Sequence, residues 1–527
     1  MRKPTGRATA AALATVAAVS ATVMAAPPAH AIIGGHKSAH AYSFMGSFQP
    51  SFPKPSRPDG HGCGVEVLAP RWVLTASHCA GNNPTEAKVG VPKGWKVRVG
   101  SLKPSSGGEV AEVDHYYRLS TWEEKLWGKD LALMHLKTPV KAKPVRIAST
   151  RPKVNTPVRI MGWGMTCANS VEPECYPKRL READTKVQPH SACVTEPIDE
   201  ELCIGSPDGS VSAANMDSGG PALVREGGQW ALAGVVSSGN SARATSYTDV
   251  TKHVDWIKGI ISGTHVPPDS EIPNMKGAVQ LSNCMGSVVR TSASRPKDPA
   301  LMMTNGHCVE GKRPKPGAAL VDRPADREVP IGDRHGYPQA TARANRLVYA
   351  TMTGTDIALY RLDATYAQLA AKGAKVFKLA STPVHANDPL TLATERMNCT
   401  AEAVVPHLRE GGYQQDNSIR FTAASKGCDP SYGYSGSALL APDDDTVVGI
   451  FNTHNDPDAK GKECDDDKPC EVGPDGAVTS MKGRRYGQQT HMITKCLTKG
   501  SKLDLSRQGC TLTGATPRQD HTGAHSQ

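Results

Sequence analysis

The sequence predicts an all-β protein built as two tandem domains, the first closed by a C-terminal helix. Three observations carry that expectation: a turn-rich composition, a long succession of short β-type runs, and a constellation of polar residues that occurs twice. The chain has 50 glycines and 40 prolines in 527 residues, about 17% against a usual ~12%. That excess favours a β architecture over helical bundles, repeats or coiled coils, and the length suits two to four domains. Apolar residues make up 38%, and mean hydropathy is −0.40. No run of eighteen strongly apolar residues follows the N-terminus, which excludes a polytopic membrane protein. The net charge of +10 includes Arg2, Lys3 and Arg7, and the rest forms no basic run with interleaved aromatics. No nucleic-acid partner is expected.

Residues 1–31 read as a secretory signal peptide. They have a basic start, an Ala/Val/Thr-rich stretch from Ala8 to Ala26, and an Ala29-His30-Ala31 end of the small-x-small type. The mature chain is expected to be extracellular, with no membrane association after cleavage. Cysteine usage agrees: six cysteines fall in the first half and eight in the second, even numbers that closed disulfide sets require. Zinc is the competing reading, but no CxxC pair occurs. Cys193 and Cys203 belong to the disulfide set, as do the pairs named below.

From residue 32 to 250 the chain reads as short β runs, among them Cys63–Leu68, Trp72–Ala76, Lys96–Val99 and Val158–Trp163. The period then changes. Val250, Val254, Ile257 and Ile261 fall at helical spacing, with Gly263 as the stop. Residues 263–273 carry three prolines and read as a semi-rigid linker between a domain at 32–262 and one at 274–510. Residues 511–527 read as a disordered tail.

The chemistry lies in a few short motifs. Peptide hydrolysis needs a nucleophile, a base, a group that fixes the base's tautomer, and donors for the oxyanion. His78 sits in Leu74-Thr75-Ala76-Ser77-His78-Cys79, after a β run, with Cys63 on the preceding strand as the partner that rivets Cys79. Asp130 opens Asp130-Leu131-Ala132-Leu133 as a buried acid at a strand start. Ser218 sits in Asp217-Ser218-Gly219-Gly220-Pro221, where glycines permit the tight turn that exposes a hydroxyl. Each piece alone is weak. In the order His, Asp, Ser, with gaps of 52 and 88 residues, residues 32–262 resemble the chymotrypsin/trypsin-like serine peptidases.

The resemblance implies a double six-stranded β-barrel with His78, Asp130 and Ser218 in the cleft between barrels. It also implies that Ile32-Ile33-Gly34-Gly35 is the mature N-terminus, whose freed ammonium pairs with Asp217 and shapes the oxyanion loop. The oxyanion donors fall on Met216 and Ser218. Met216 departs from the family's glycine, and a side chain there is expected to disfavour the required backbone. The cysteine usual four residues before the nucleophile is Ala214, so the pocket wall is expected to be less braced. In the pocket, Ser212 takes the floor position and Ser237 lies on the wall. Gly239 keeps the entrance open, and Thr245 makes the pocket shallow. A small or medium uncharged side chain is the expected preference.

The second half repeats the plan. His307 precedes Cys308, with Cys284 as its partner; Asp356 opens a strand; Gly433-Tyr434-Ser435-Gly436 has a nucleophile-turn form that resembles the glutamyl-endopeptidase branch. The gaps are 49 and 79, which marks a duplicated domain. Gly433 and Ser435 supply the oxyanion positions. Tyr434 stands where the first half has Asp217, which suits an internal domain without a free ammonium. The alternative reading is a noncatalytic copy that serves as a binding domain. Substrate preference conflicts here: Asp429 at the floor position favours basic residues, whereas His454 points to acidic ones. The acidic runs 443–445 and 465–467 lack the alternation of a calcium loop, and Cys464 with Cys470 pinches the second into a solvated hairpin. No metal and no cofactor are expected. The partners are protein or peptide substrates, and no oligomeric state is read from the sequence.

Overall fold

A computed structural model describes residues 32–515 except 52–56, 82–86, 123, 168–172, 194–197, 240–241, 270–271, 422–427, 429, 431 and 457–460. The signal segment, Asp429 and the tail from 516 therefore lie outside the described residues. Each half consists of two closed six-stranded antiparallel circuits.

In the first half, the first circuit contains β1 (Met45–Gln49), β2 (Cys63–Ala69), β3 (Trp72–Thr75), β4 (Lys96–Val99), β5 (Glu109–Arg118) and β6 (Ala132–Leu136). They run in the order β5-β4-β1-β2-β3-β6, and β6 returns to β5. Closure leaves no sheet edge. The second circuit contains β7 (Pro157–Gly162), β8 (Arg181–Gln188), β9 (Glu201–Ile204), β10 (Pro221–Glu226), β11 (Gln229–Ser238) and β12 (Thr245–Asp249), in the order β8-β7-β10-β11-β12-β9 and back to β8. Helix α1 (Val254–Ser262) follows and buries Ile257 and Ile260 in the core of the first circuit. Gly263, with φ 81°, ends it in the left-handed conformation that glycine adopts without Cβ strain. The expected closing helix is present.

The stretch expected as a linker is not wholly solvated. Ile272 is 6% exposed and joins the apolar core of the first circuit.

The second half repeats the design. Its first circuit contains β13 (Ala278–Gln280), β14 (Met285–Arg290), β15 (Pro299–Thr304), β16 (Ala319–Gly332), β17 (Pro338–Thr351) and β18 (Ile357–Thr365). Short β19 (Phe377–Leu379) runs parallel to β14 on one side and to a strand of the last circuit on the other. That last circuit contains β20 (Pro389–Leu392), β21 (Met397–Glu410), β22 (Tyr413–Phe421), β23 (Ala438–Leu440), β24 (Thr446–His454) and, beyond β25 (Cys470–Val472), β26 (Arg485–Gln489). The packed chain extends past the expected boundary at Cys510. Leu512 is 3% exposed, and the Thr513 carbonyl accepts a hydrogen bond from the Tyr349 hydroxyl.

All fourteen cysteines are paired. The expected bridges Cys63–Cys79, Cys193–Cys203, Cys284–Cys308 and Cys464–Cys470 are present, joined by Cys167–Cys175, Cys399–Cys428 and Cys496–Cys510.

One core residue works against stability. Glu66 on β2 is 0% exposed, and neither carboxyl oxygen has a hydrogen-bond partner. Burial pushes its carboxyl well above the ordinary range, so it sits in the fold uncharged. A buried polar group without a partner costs about 1–3 kcal/mol. Glu66→Met is therefore expected to raise the unfolding midpoint of the first half, most clearly above pH 5, where the unfolded chain ionises this carboxyl. A differential scanning calorimetry series across pH measures it.

Candidate active site

The register of two neighbouring strands positions the base and its acid. Thr75 at the end of β3 pairs with Ala132 at the start of β6. His78 lies three residues beyond one and Asp130 two before the other. The turn Ser77–Cys79 then brings them together. Asp130, 2% exposed, clamps His78 at two points. Its Oδ1 accepts the His78 backbone N–H at 2.9 Å, and its Oδ2 accepts from Nδ1 at 2.7 Å. The Ser237 hydroxyl donates to the same Oδ2 at 2.8 Å. With Nδ1 carrying the proton, Nε2 is left as the basic nitrogen.

His78, Ser218, Met216, Ser237, Gly239 and Thr245 line one cavity of about 600 Å³. Ser212 does not line it. Its amide donates to the Ile33 carbonyl at 3.2 Å and its hydroxyl turns to Gly209, so it packs toward the N-terminal segment. The expected floor is instead formed by the 213–216 segment and Thr245. The Thr245 hydroxyl donates to the Ala213 carbonyl at 3.2 Å, and a Cβ built on Gly239 would meet the Thr245 methyl carbon at 3.1 Å.

Met216 carries the strain that its side chain led one to expect. It adopts φ 71°, the left-handed region, despite its side chain. Such a conformation is strained for a non-glycine residue and persists where the surroundings over-determine it. Two contacts do so. The Met216 side chain packs with Met165, Cys175 and Tyr176, and its carbonyl accepts a hydrogen bond from His61 Nε2 at 2.9 Å. Since Nε2 must donate to a carbonyl, Nδ1 accepts from the Ser47 hydroxyl, at 2.7 Å. Burial, and then the Arg57 charge, lower the His61 pKa to about 3, so the ring is neutral as this network requires. The wall expected to lack a brace has one, because Cys167–Cys175 holds Cys175 against Met216. His61 lies 155 residues from Met216 in sequence, and no local motif marked it.

Asp217 is 1% exposed; its oxygens accept from the backbone N–H groups of Gly164 at 2.7 Å and Ala214 at 3.0 Å. Burial outweighs those bonds and pushes its carboxyl up to about 7. Ile32 is fully buried in the core of the second circuit, and Ile33 forms a bridge with Ser212 five residues before Asp217.

The second half repeats the clamp with altered walls. Thr304 pairs with Ala358, and Asp356 accepts from His307 N at 3.0 Å and from Nδ1 at 2.7 Å. His307, Asp356, Gly433 and Ser435 line a cavity of about 370 Å³. Gly433 has φ 89°, and apart from its chain neighbours no atom of the described residues lies within 4 Å of a built Cβ. Asn452 replaces the serine that supports Asp130, and the Ser435 hydroxyl donates to the Asn452 carbonyl at 3.1 Å. Burial lowers the His307 pKa, but Asp356 and then Glu410 outweigh it, and the net shift is upward. The sequence did not mark Glu410, which ends β21 in a Glu-Gly-Gly hairpin that reads as a solvated turn. The acidic 465–467 run is exposed, as the solvated-hairpin reading expects, and Asp466 and Asp467 also line this cavity.

His61→Phe removes the donor to Met216 and leaves the Ser47 hydroxyl without its acceptor. Hydrogen–deuterium exchange is expected to show amide protection falling across 213–220 by roughly 10–100-fold, the equivalent of about 1–3 kcal/mol. Unchanged protection there would mean that packing alone holds the turn.

Comparison with known proteins gives the same result for both halves. Residues 32–257 match the family described as Trypsin, and residues 284–450 match the Trypsin-like peptidase domain. Snake venom serine proteinase 4a of Crotalus adamanteus is 32% identical over 225 residues, covering 39% of this chain and 80% of the relative. Thrombin-like enzyme elegaxobin-1 of Protobothrops elegans is 32% identical over 221 residues, covering 39% of this chain and 88% of the relative. Thrombin-like enzyme halystase of Gloydius blomhoffii is 31% identical over 218 residues, with 38% and 85% covered. With its two clamped His–Asp pairs, the chain belongs to the trypsin-like serine protease family, as a tandem of two such domains.

Proposed function

We propose that the chain is a secreted serine endopeptidase that cleaves protein and peptide substrates by acyl transfer, with sites at Ser218 and Ser435. The observation that carries this reading is the repeated two-point clamp of a histidine by a buried aspartate, in the same cavity as a turn serine. In each site the histidine Nε2 takes the serine proton as the hydroxyl attacks the scissile carbonyl. Backbone N–H groups of Met216 and Ser218, or of Gly433 and Ser435, receive the developing oxyanion. The imidazolium then protonates the leaving amine, and water releases the acyl group by the same route. Secretion is supported by the export-type N-terminus, the seven disulfides and the venom relatives. At the first site, Thr245 opposite Gly239 favours a small or medium uncharged side chain.

A second reading keeps only the first site active. The hydrogen bond from Ser435 to the Asn452 carbonyl favours it, since that bond holds the hydroxyl proton away from His307. A serine-directed phosphonate, followed by mapping of modified peptides, separates the two. Labels on both serines are expected; a label on Ser218 alone selects the second reading, and none on either refutes both. Ser218→Ala should remove its label and lower kcat for an uncharged-residue substrate by roughly 10⁶-fold.

Cleavage after Ala31 is proposed to free an Ile32 ammonium that pairs with Asp217. In the uncleaved chain the folded state holds a proton on Asp217 up to about pH 7, whereas the unfolded state loses it near 4. The folded state of the uncleaved first half is therefore destabilised as pH rises from 4 to 7. The cleaved form is expected to lose that dependence. Thermal midpoints of the two forms across this range check it, and identical slopes would count against the ion pair.

His307 must be neutral to act as a base, and its pKa lies above the ordinary 6.5. In Ser218→Ala protein the acid limb of the rate profile is expected above pH 6.5. Glu410→Gln should move it down, since Glu410 contributes to that shift.

A further inference from the structure

We propose that Asp114, His115 and His135, on the outer face of the first circuit, form a binding site for Zn²⁺ or a similar transition-metal ion, with Asp269 orienting His115. A strand irregularity assembles the set. Along β5, burial alternates through Ala111, Glu112 and Val113, and then Asp114 and His115 are half-buried in succession before Tyr116 returns to the core. The register with β6 shifts between Val113 and His115, so Asp114 is the extra residue of a bulge and His115 stands opposite His135. The sequence expectation of no metal rested on short motifs, whereas Asp114 and His135 meet from 21 residues apart.

One carboxylate oxygen faces two imidazole nitrogens. Asp114 Oδ1 lies 2.6 Å from His135 Nδ1 and 3.3 Å from His115 Nδ1, and the ligand atoms of the three residues fall within 4.8 Å of one another. Tetrahedral zinc with ligands at about 2.0–2.1 Å sets neighbouring donors about 3.3 Å apart, a spacing these side chains reach by small rotations. The other ring nitrogen of His115 faces Asp269 Oδ1 at 3.7 Å. A metal-bound imidazole uses such a carboxylate to fix its tautomer and its ring orientation. His135 is held edge-on to Trp72, with ring centroids 4.8 Å apart. The three ligand side chains are between 27% and 33% exposed, so an ion can reach them from solvent.

On binding, the metal replaces the proton between His135 Nδ1 and Asp114 Oδ1, which passes to Nε2 or to water. Two imidazoles with a carboxylate suit Zn²⁺ or Cu²⁺, whereas Ca²⁺ and Mg²⁺ take oxygen sets. Among the described residues, the ion-pair partners of Asp114 and Asp269 are these two histidines. With both rings neutral, the carboxylates keep no cationic partner, and a divalent ion supplies one. The other two groups of metal-type donors among the described residues surround His78 and His307, but their sulfurs are tied up as disulfides and are not thiolates.

The test titrates Zn²⁺ into the full mature chain after chelator treatment, in Ser218→Ala/Ser435→Ala protein so that self-cleavage does not alter the sample. Binding is read by competition with a chromophoric chelator. One equivalent with a micromolar or tighter Kd is expected, undisturbed by millimolar Ca²⁺. His115→Gln and His135→Gln should each weaken it more than about 100-fold, and Asp269→Asn, on an exposed side chain, by about tenfold. His78→Ala and His307→Ala should leave it unchanged. Circular dichroism of each metal-free variant reports its fold. Zinc-edge X-ray absorption of the protein with both histidines intact is expected to show two imidazole ligands, a readout that stands even where a variant fails to fold. Absence of a bound equivalent, an equivalent that both Gln variants leave intact, or its loss in His78→Ala or His307→Ala overturns the site.

Discussion

Everything at the two sites depends on one buried carboxylate that holds one histidine at both its backbone and its ring. Taking an ionised carboxylate out of water is expensive unless its lone pairs are met. Asp130 meets this with His78 N, His78 Nδ1 and the Ser237 hydroxyl. The two histidine contacts are possible only because acid and base sit just beyond the paired ends of neighbouring strands. That placement needs the β3–β6 register, and the second half reproduces it at β15–β18. The disulfides Cys63–Cys79 and Cys284–Cys308 tie each histidine turn back to the start of the strand before last, β2 or β14. Closed circuits make this register stable, because a one-residue slip would turn every core side chain outward.

The turn before each serine shows the same need met in two ways. Both residues two positions before the serine adopt positive φ, Met216 at 71° and Gly433 at 89°. Glycine does so without strain and needs no support, and among the described residues beyond its chain neighbours nothing crowds Gly433. Methionine requires support, and the first half provides the His61 hydrogen bond, the Cys167–Cys175 bridge and a buried side chain. A similar division separates Asp217 from Tyr434. Under the proposed cleavage after Ala31 the Ile32 ammonium supplies the counter-charge that lets the buried Asp217 ionise, whereas Tyr434 carries no charge that would need one.

The legible parts of this fold are those with local signals. Strand runs, the helix stop at Gly263, the His-Cys pairs and the paired glycines after Ser218 each fall within a few residues, and the structure forms each of them. Side chains that meet across long separations were not legible. His61 reaches Met216 from 155 residues away, and Glu410 meets Thr453 from 43. Counting back from the nucleophile put Ser212 on the pocket floor, but in the fold its amide bonds to the Ile33 carbonyl, a long-range contact that counting does not show. The 465–467 run is exposed within the Cys464–Cys470 loop, as its charge implied, but nothing local showed that Asp466 and Asp467 would also line the second cleft.

Net charge is a poor guide to recognition here for the same reason. The chain carries +10 overall, yet the second cleft is acidic and the first is lined by no charged side chain among its described residues. A cleft focuses the field of the groups on its own walls, and charges on the opposite surface are screened within about 10 Å of water at ordinary salt. Those walls come from positions the clamp does not use: the start of β12, the tip of the β21–β22 hairpin and the disulfide loop beyond β24. They can therefore change without disturbing the strand register that holds His78 or His307. The constraint that keeps the two halves alike at the base is what leaves them free to differ in shape and charge at the substrate.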